Sequence, residues 1–180
     1  ERLAMGAREV STLVDERRHW AYFGSSMTGK TTLARWHARI LARANYQVIV
    51  FDPVRTATKG GDWPEDARVF DDASKFVAYM HRARFEADDP AYVFVDEAAD
   101  IFPHDLKETH WMLRRGRHCN FYMRLIIQRP KMVAPNVRNQ CSRVFMFRVA
   151  RQDAREICAD VGHSGEVADV ELDEGDALML

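Results

Sequence analysis

With 180 residues, 47% of them hydrophobic and 29% charged, the chain has the length and composition of one folded domain with a sizeable core. No run of 18 apolar residues is present to span a bilayer, and three scattered cysteines, Cys119, Cys141 and Cys158, exclude a disulfide framework and fit a reducing, cytoplasmic compartment. A net charge of −1 hides a split: Lys107 to Arg155 carries twelve Lys or Arg against two acids, whereas Asp160 to Asp176 carries seven acids and no Lys or Arg.

Residues 1–18 form an N-terminal lead-in without a signal-peptide pattern, and opening on Glu1 rather than Met suits an excised fragment. "HWAYF" (19–23) then predicts a strand and "KTTLARWHARILARA" (30–44) an amphipathic helix. Between them the spacing from Gly24 to Thr31 reads G-x-x-x-x-G-K-T, the phosphate-loop pattern. Such glycines let the backbone N–H groups turn toward an anion, where a helix N-terminus already favours negative charge. The nucleotide-binding stretch is therefore Gly24, Ser25, Ser26, Met27, Thr28, Gly29, Lys30, Thr31 and Thr32. Lys30 is expected to reach the β- and γ-phosphates, and the Thr31 hydroxyl to hold Mg²⁺.

The near-continuous apolar run "YQVIVFDP" (46–53) reads as a strand buried on both faces. A loop over 54–66 follows, whose Lys59 to Trp63 piece is either an ordinary surface loop or a basic loop suited to DNA contact. "ARVF" predicts a short strand, and Asp71 or Asp72 caps a helix through "SKFVAYMHRARFEA". "AYVFVDEA" (91–98) is a second buried strand, followed by a Pro103 turn and a helix near 104–118. His110, His118 and Cys119 fall there at spacings that match no structural zinc pattern. "MRLIIQ" (123–128) is a strand, 134–140 a short helix, "RVFMFRV" (143–149) a strand, "RQDAREICADVG" a helix and "DALML" a final strand. Strands alternating with helices predict an α/β fold with a mainly parallel sheet, which places ligands at the C-terminal strand ends.

A phosphate loop alone does not separate a motor from a kinase. "YVFVDEA" does more: it delivers Asp96 to a strand end, where a carboxylate supports Mg²⁺, and sets Glu97 beside it, where a carboxylate can activate water. Gln128 ends the next strand, placed to sense a γ-phosphate. In the predicted helix before it, Lys107, His110, Arg114 and His118 follow i, i+3, i+7, i+11 spacing and form a cationic side, continued by Arg115 and Arg117 in "LRRGRH". An arginine supplied to a neighbour's γ-phosphate is a known way to stabilise transferred charge.

"GSSMTGKT", "VFVDEAADIFP", "LRRGRHCN" and "LIIQRPKMVAPNVRNQCSRVFMFR", with the acidic segment ending "EGDALML", resemble the HerA–FtsK superfamily. Within it, the pattern is closest to the genome-packaging ATPases of tailless icosahedral viruses with an internal membrane. The zonular occludens toxin-like phage assembly ATPases share several of its features. The resemblance spans about His19 to Leu180. It implies a single RecA-like P-loop ATPase domain with a three-layer α/β fold, requiring ATP and Mg²⁺. It also implies a homo-oligomeric ring that moves double-stranded DNA and docks on a capsid or portal-vertex protein, in the host cytoplasm or at a virion vertex.

By position, the resemblance makes Lys30 and Thr31 the phosphate and Mg²⁺ residues and Asp96 the Mg²⁺ support. Glu97 becomes the catalytic base and Gln128 the γ-phosphate sensor. Arg114, Arg115 and Arg117 become candidates for an arginine acting in trans, with Arg143 and Arg148 behind them. Two departures stand out: Ile127 replaces a commoner threonine, and Asn120 a frequent glycine. The alternatives are a phage extrusion ATPase of the toxin-like type and a small-molecule nucleotide kinase; Glu97 and the lack of an arginine-rich lid argue against the kinase. The charge split fits a polyanion-binding face, complementary subunit faces, or charges that average out in three dimensions.

Overall fold

The computed structural model describes residues 18–54, 63–85, 89–103, 108–164, 167–170, 172–173 and 175–180. Six strands run parallel: β1 (His19–Phe23), β2 (Gln47–Phe51), β3 (Arg68–Phe70), β4 (Ala91–Val95), β5 (Phe121–Ile127) and β6 (Cys141–Met146). A two-residue β7 (Leu178–Met179) pairs antiparallel with β6, and the order across the sheet is β3-β2-β4-β5-β1-β6-β7. Every residue of β1, β4 and β5 is buried, which is why these strands read as unbroken apolar runs rather than alternating ones.

Helices cover both faces. On one, Trp20, Tyr22, Val50, Tyr92 and Phe94 pack with Ala34, Ala38 and Leu41 of α1 (Lys30–Arg43). On the other, Ala21, Phe23, Ile49, Val93 and Leu125 pack with Phe76 and Met80 of α2 (Ala73–Ala83) and with Ala154 and Ile157 of α6 (Arg151–Asp160). Alternation along each strand thus feeds two apolar layers, and the three-layer α/β fold follows. Three one-turn helices complete the connections: α3 (Ala98–Ile101), α4 (Trp111–Arg114) and α5 (Pro135–Arg138). Among the described residues, no helix is long and apolar enough to cross a membrane.

The structure corrects several expectations. Asp72, not Asp71, caps α2, its carboxylate accepting from the Lys75 N–H at 2.8 Å. Strand β6 starts two residues earlier than expected and ends at Met146. The helix expected near 104–118 is instead the single turn α4 followed by a 3₁₀ turn over Gly116–Cys119, with 104–107, and so Lys107, outside the described residues. A contact from far away in sequence accompanies the break after α4. The Leu113 carbonyl, which a continuing helix would offer to Arg117 N–H, accepts from His19 Nε2 at 2.9 Å. Asn120 then turns the chain into β5 at φ 56°, a left-handed conformation that asparagine tolerates better than most residues. Of the expected cationic side, His110 is buried, Arg114 and His118 are exposed, and all three line one cavity.

Candidate nucleotide site

The loop from Gly24 to Thr31 leaves β1 at its C-terminal end and is tied to both neighbouring strands. Gly24 N–H donates to the Ile127 carbonyl at 3.2 Å, and Ser25 N–H to the Arg148 carbonyl at 3.0 Å. A Cβ at Gly24 would lie 2.6 Å from Thr28 Oγ1 and 2.7 Å from Phe147 Cβ, so only glycine fits. Gly29 enters α1 at φ 99°, again a glycine conformation. Thr28 Oγ1 braces the loop by donating to the Ser25 carbonyl at 2.8 Å, while Ser25, Ser26 and Met27 are exposed at the mouth. Lys30 Nζ donates to the same carbonyl at 2.7 Å. Burial lowers the Lys30 ammonium from its ordinary value, opposed by the charges of Asp96 and Glu97. Thr32 is exposed on the first turn of α1.

Strand β4 ends beside this loop. Thr31 Oγ1 donates to Asp96 Oδ1 at 3.4 Å, which sets two hard oxygen donors side by side. Such a pair suits Mg²⁺, which takes one or two protein oxygens and completes its shell with phosphate and water. Burial pushes the Asp96 carboxyl up to about 6, with Asp52 and Glu97 adding and the Thr31 hydrogen bond and Arg35 opposing. Glu97 follows at φ 56°, a strained conformation for a residue with a side chain, of the kind that collects at functional sites. Gln128 Nε2 donates to Glu97 Oε1 at 2.6 Å. That contact exists because β5 lies between β1 and β4, so its end stands between the loop and the two carboxylates. The structure thus brings Lys30, Thr31, Asp96, Glu97 and Gln128 together.

It does not bring Arg114, Arg115 or Arg117 there. Arg114, Arg115 and Arg117 are exposed, but they precede β5, and its seven residues put them roughly 20 Å from the same subunit's loop at about 3.3 Å per residue. Arg148 lies against its own subunit's phosphate loop, and Arg143 stacks on Trp20 with 4.9 Å to the ring centroid. The suggested DNA-contact segment falls mainly outside the described residues. Its Trp63 is buried, with Nε1 donating to Asp52 Oδ2 at 2.8 Å.

Three contributors were not singled out from sequence. Asp52, at the end of β2, accepts from Arg35 of α1 at 3.3 Å and sits electrostatically beside Asp96. The Asp-Pro closing "YQVIVFDP" was the available signal. Phe147 forms the floor under Gly24 and Gly29. His19 anchors the arginine-bearing turn, and nothing local to residue 19 marks that role.

No protein-family model and no curated protein matches the sequence. Solved structures do. The chain is similar to the genome packaging NTPase B204 from Sulfolobus turreted icosahedral virus 2 in complex with AMPPCP, at TM-score 0.73 and 18% identity, covering 90% of this chain and 91% of that one. It is similar to the pCW3 conjugation coupling protein TcpA with ATPγS, at TM-score 0.71 and 16% identity, over 92% of this chain and 58% of that one. It is also similar to ATPases 2 and 3 of EssC from Geobacillus thermodenitrificans, at TM-score 0.62 and 17% identity, over 92% and 38%. Identities this low speak for the fold, and the parallel sheet and the glycine-shaped loop after β1 agree: the chain is built on the P-loop NTPase fold.

Proposed function

We propose that this protein is an ATP-hydrolysing motor that translocates double-stranded DNA as a homo-oligomeric ring, most closely of the viral genome-packaging kind. The observation that carries the hydrolytic part is Glu97, set beside Asp96 and held by Gln128 at 2.6 Å. An enzyme passing phosphate to another substrate has little use for a carboxylate placed to activate water. Fold likeness to a packaging NTPase and a conjugation coupling protein supports the DNA-handling part, and a capsid or portal-vertex protein is the corresponding dock.

On this reading Lys30 leaves the Ser25 carbonyl for the β- and γ-phosphate oxygens, and loop N–H groups between Gly24 and Thr31 close around them. Thr31 and Asp96 would hold Mg²⁺, which when bound neutralises charge on those oxygens. Glu97 takes a proton from water as its oxygen attacks the γ-phosphorus; the bond to the β–γ bridging oxygen breaks, leaving ADP and phosphate. Gln128 orients Glu97 and registers whether the γ-phosphate is present. The test is the rate of phosphate release from ATP with and without duplex DNA. DNA stimulation is expected. No stimulation, with label from ATP appearing on an added nucleoside monophosphate, would make the protein a kinase.

A further inference from the structure

Strand β2 ends beside β4, and each hands one aspartate to the same corner of the molecule. Phe51 pairs with Val95, the Asp96 N–H donates to the Phe51 carbonyl at 2.8 Å, and Asp52 and Asp96 leave the two strand ends as neighbours. Asp52 is 3% exposed. Its Oδ2 accepts from Trp63 Nε1 at 2.8 Å and from Arg35 Nη2 of α1 at 3.3 Å, and its Oδ1 accepts from the Val54 N–H at 3.2 Å. The indole is seated in turn. Its ring centroid lies 5.6 Å from that of Phe94 in β4, and the Arg35 guanidinium stands 5.3 Å over it.

Donors from three parts of the chain therefore fix this carboxylate. Its reach toward Thr31 and Asp96 is through space, as a charge. Asp52 comes second only to burial in raising the Asp96 carboxyl, and Arg35 opposes more weakly. A second negative charge beside a buried carboxylate favours a divalent cation there. It repels the phosphates of a nucleotide that arrives without one. One charge thus acts with opposite sign on the metal and on the bare polyphosphate, and a loss of packing would not imitate that.

We propose that Asp52, held by Trp63 and Arg35, is a positioning residue whose fixed charge makes the site take its nucleotide as the Mg²⁺ complex rather than bare; the proposal rests on the nucleotide-binding reading of the loop. Calorimetry with the non-hydrolysable analogue AMPPCP tests it, first in EDTA and then with Mg²⁺ titrated into the AMPPCP-saturated protein. Asp52→Asn keeps the shape and loses the charge. It should need about tenfold more Mg²⁺ for half-saturation while binding AMPPCP in EDTA at least as tightly as wild type. Trp63→Phe removes one hydrogen bond and keeps the charge, and should stay within about threefold of wild type for both ligands. Arg35→Gln removes the opposing charge and should move both affinities the other way, which keeps the test open should Asp52→Asn not fold. An unchanged Mg²⁺ requirement in Asp52→Asn would overturn the proposal, as would weakening of both ligands together or a Trp63→Phe effect equal to that of Asp52→Asn. Unchanged affinities in Arg35→Gln would count against it in the same way. If wild type binds AMPPCP without responding to Mg²⁺, the metal reading falls; if it binds no AMPPCP, the nucleotide reading falls, and either result takes this proposal with it.

Discussion

On the proposed reading Lys30 and Glu97 divide the work of the site between holding a triphosphate and cleaving it, and their substitutions should part accordingly. Removing the Lys30 ammonium, already held against the cost of burial, takes away the charge that faces the β- and γ-phosphates. Lys30→Ala is therefore expected to weaken ATP binding and abolish turnover. Glu97→Gln should keep ATP affinity and lose about two to four orders of magnitude in single-turnover hydrolysis, because an amide cannot take the proton from water. Normal hydrolysis by Glu97→Gln would remove it as the base.

His19 gives a second residue-scale prediction. Its Nε2 donates to Leu113 and its Nδ1 accepts the Met123 N–H at 2.9 Å, so both nitrogens are engaged by the neutral ring. Burial holds its pKa down at about 4, with Arg124 and Arg117 adding and the Leu113 carbonyl opposing. Buried His37, whose Nδ1 meets the Tyr22 hydroxyl at 2.7 Å, is held down at about 3 for the same leading reason. A depressed folded pKa means the unfolded chain binds the proton more readily. Stability from these residues is thus complete above pH 6.5 and falls as acid takes the pH down toward 4. The slope is about 1.4 kcal/mol per pH unit for each histidine that titrates on unfolding. Urea melts between pH 7 and 4.5 check it, and His19→Gln should flatten the dependence. The residues of the site that sequence revealed, Lys30, Thr31, Asp96 and Glu97, lie in short local patterns. Asp52, Phe147 and His19 act across strand register, which no local spacing encodes.

At the scale of elements, the strands were legible because burial on both faces leaves an apolar run, unbroken in "YVFV" and interrupted by a single arginine in "FYMRLII". The helix near 104–118 was not: it is a single turn, and the His19 contact that accompanies its end comes from 94 residues away. This break changes how the arginines are read. Arg114, Arg115 and Arg117 belong to a short turn at the N-terminal end of β5, too far from their own phosphate loop to touch a nucleotide there. Arg117→Ala, or failing that Arg114→Ala or Arg115→Ala, is expected to leave ATP binding by the isolated subunit nearly intact. Hydrolysis by the assembled ring should drop on the order of a thousandfold. Mixing that variant with Glu97→Gln should restore activity at about a quarter of randomly formed interfaces, those pairing the intact arginine of one protein with the intact Glu97 of the other. Wild-type rates in all three variants would take this turn out of the mechanism.

For the whole molecule, part of the charge split seen along the chain is closed by ion pairs. Arg138 pairs with Glu156 at 2.7 Å and Asp160 at 2.9 Å, Arg129 with Asp153 at 3.2 Å, and Arg151 with Asp169. Arg124 is fully buried, with its guanidinium 4.0 Å from the Trp20 ring centroid and Nη1 donating to the Arg18 carbonyl at 2.6 Å. Counting charge by sequence position could not anticipate this, since α6 and the segment after it carry acids back onto the basic stretch. A DNA track must therefore use the cations left at the surface, such as the Arg114 to Arg117 turn. Duplex affinity should be tolerant of sequence and should fall linearly with salt on a log–log plot; each contacting arginine or lysine removed should lower the slope by about one. Salt-independent binding, or none, would turn the proposed function toward a protein substrate.

The length of β5 has a consequence for how damage spreads. In the proposed ring, a subunit that offers its arginines roughly 20 Å from its own phosphate loop would be harmed by the loss of its neighbour's arginine and not by the loss of its own. In an otherwise wild-type ring, one subunit without Arg117 would go on firing normally while silencing the next, whereas one without Glu97 would silence itself. The two lesions cost the ring the same number of sites, but they fall on different subunits, and tagging the defective copy tells them apart.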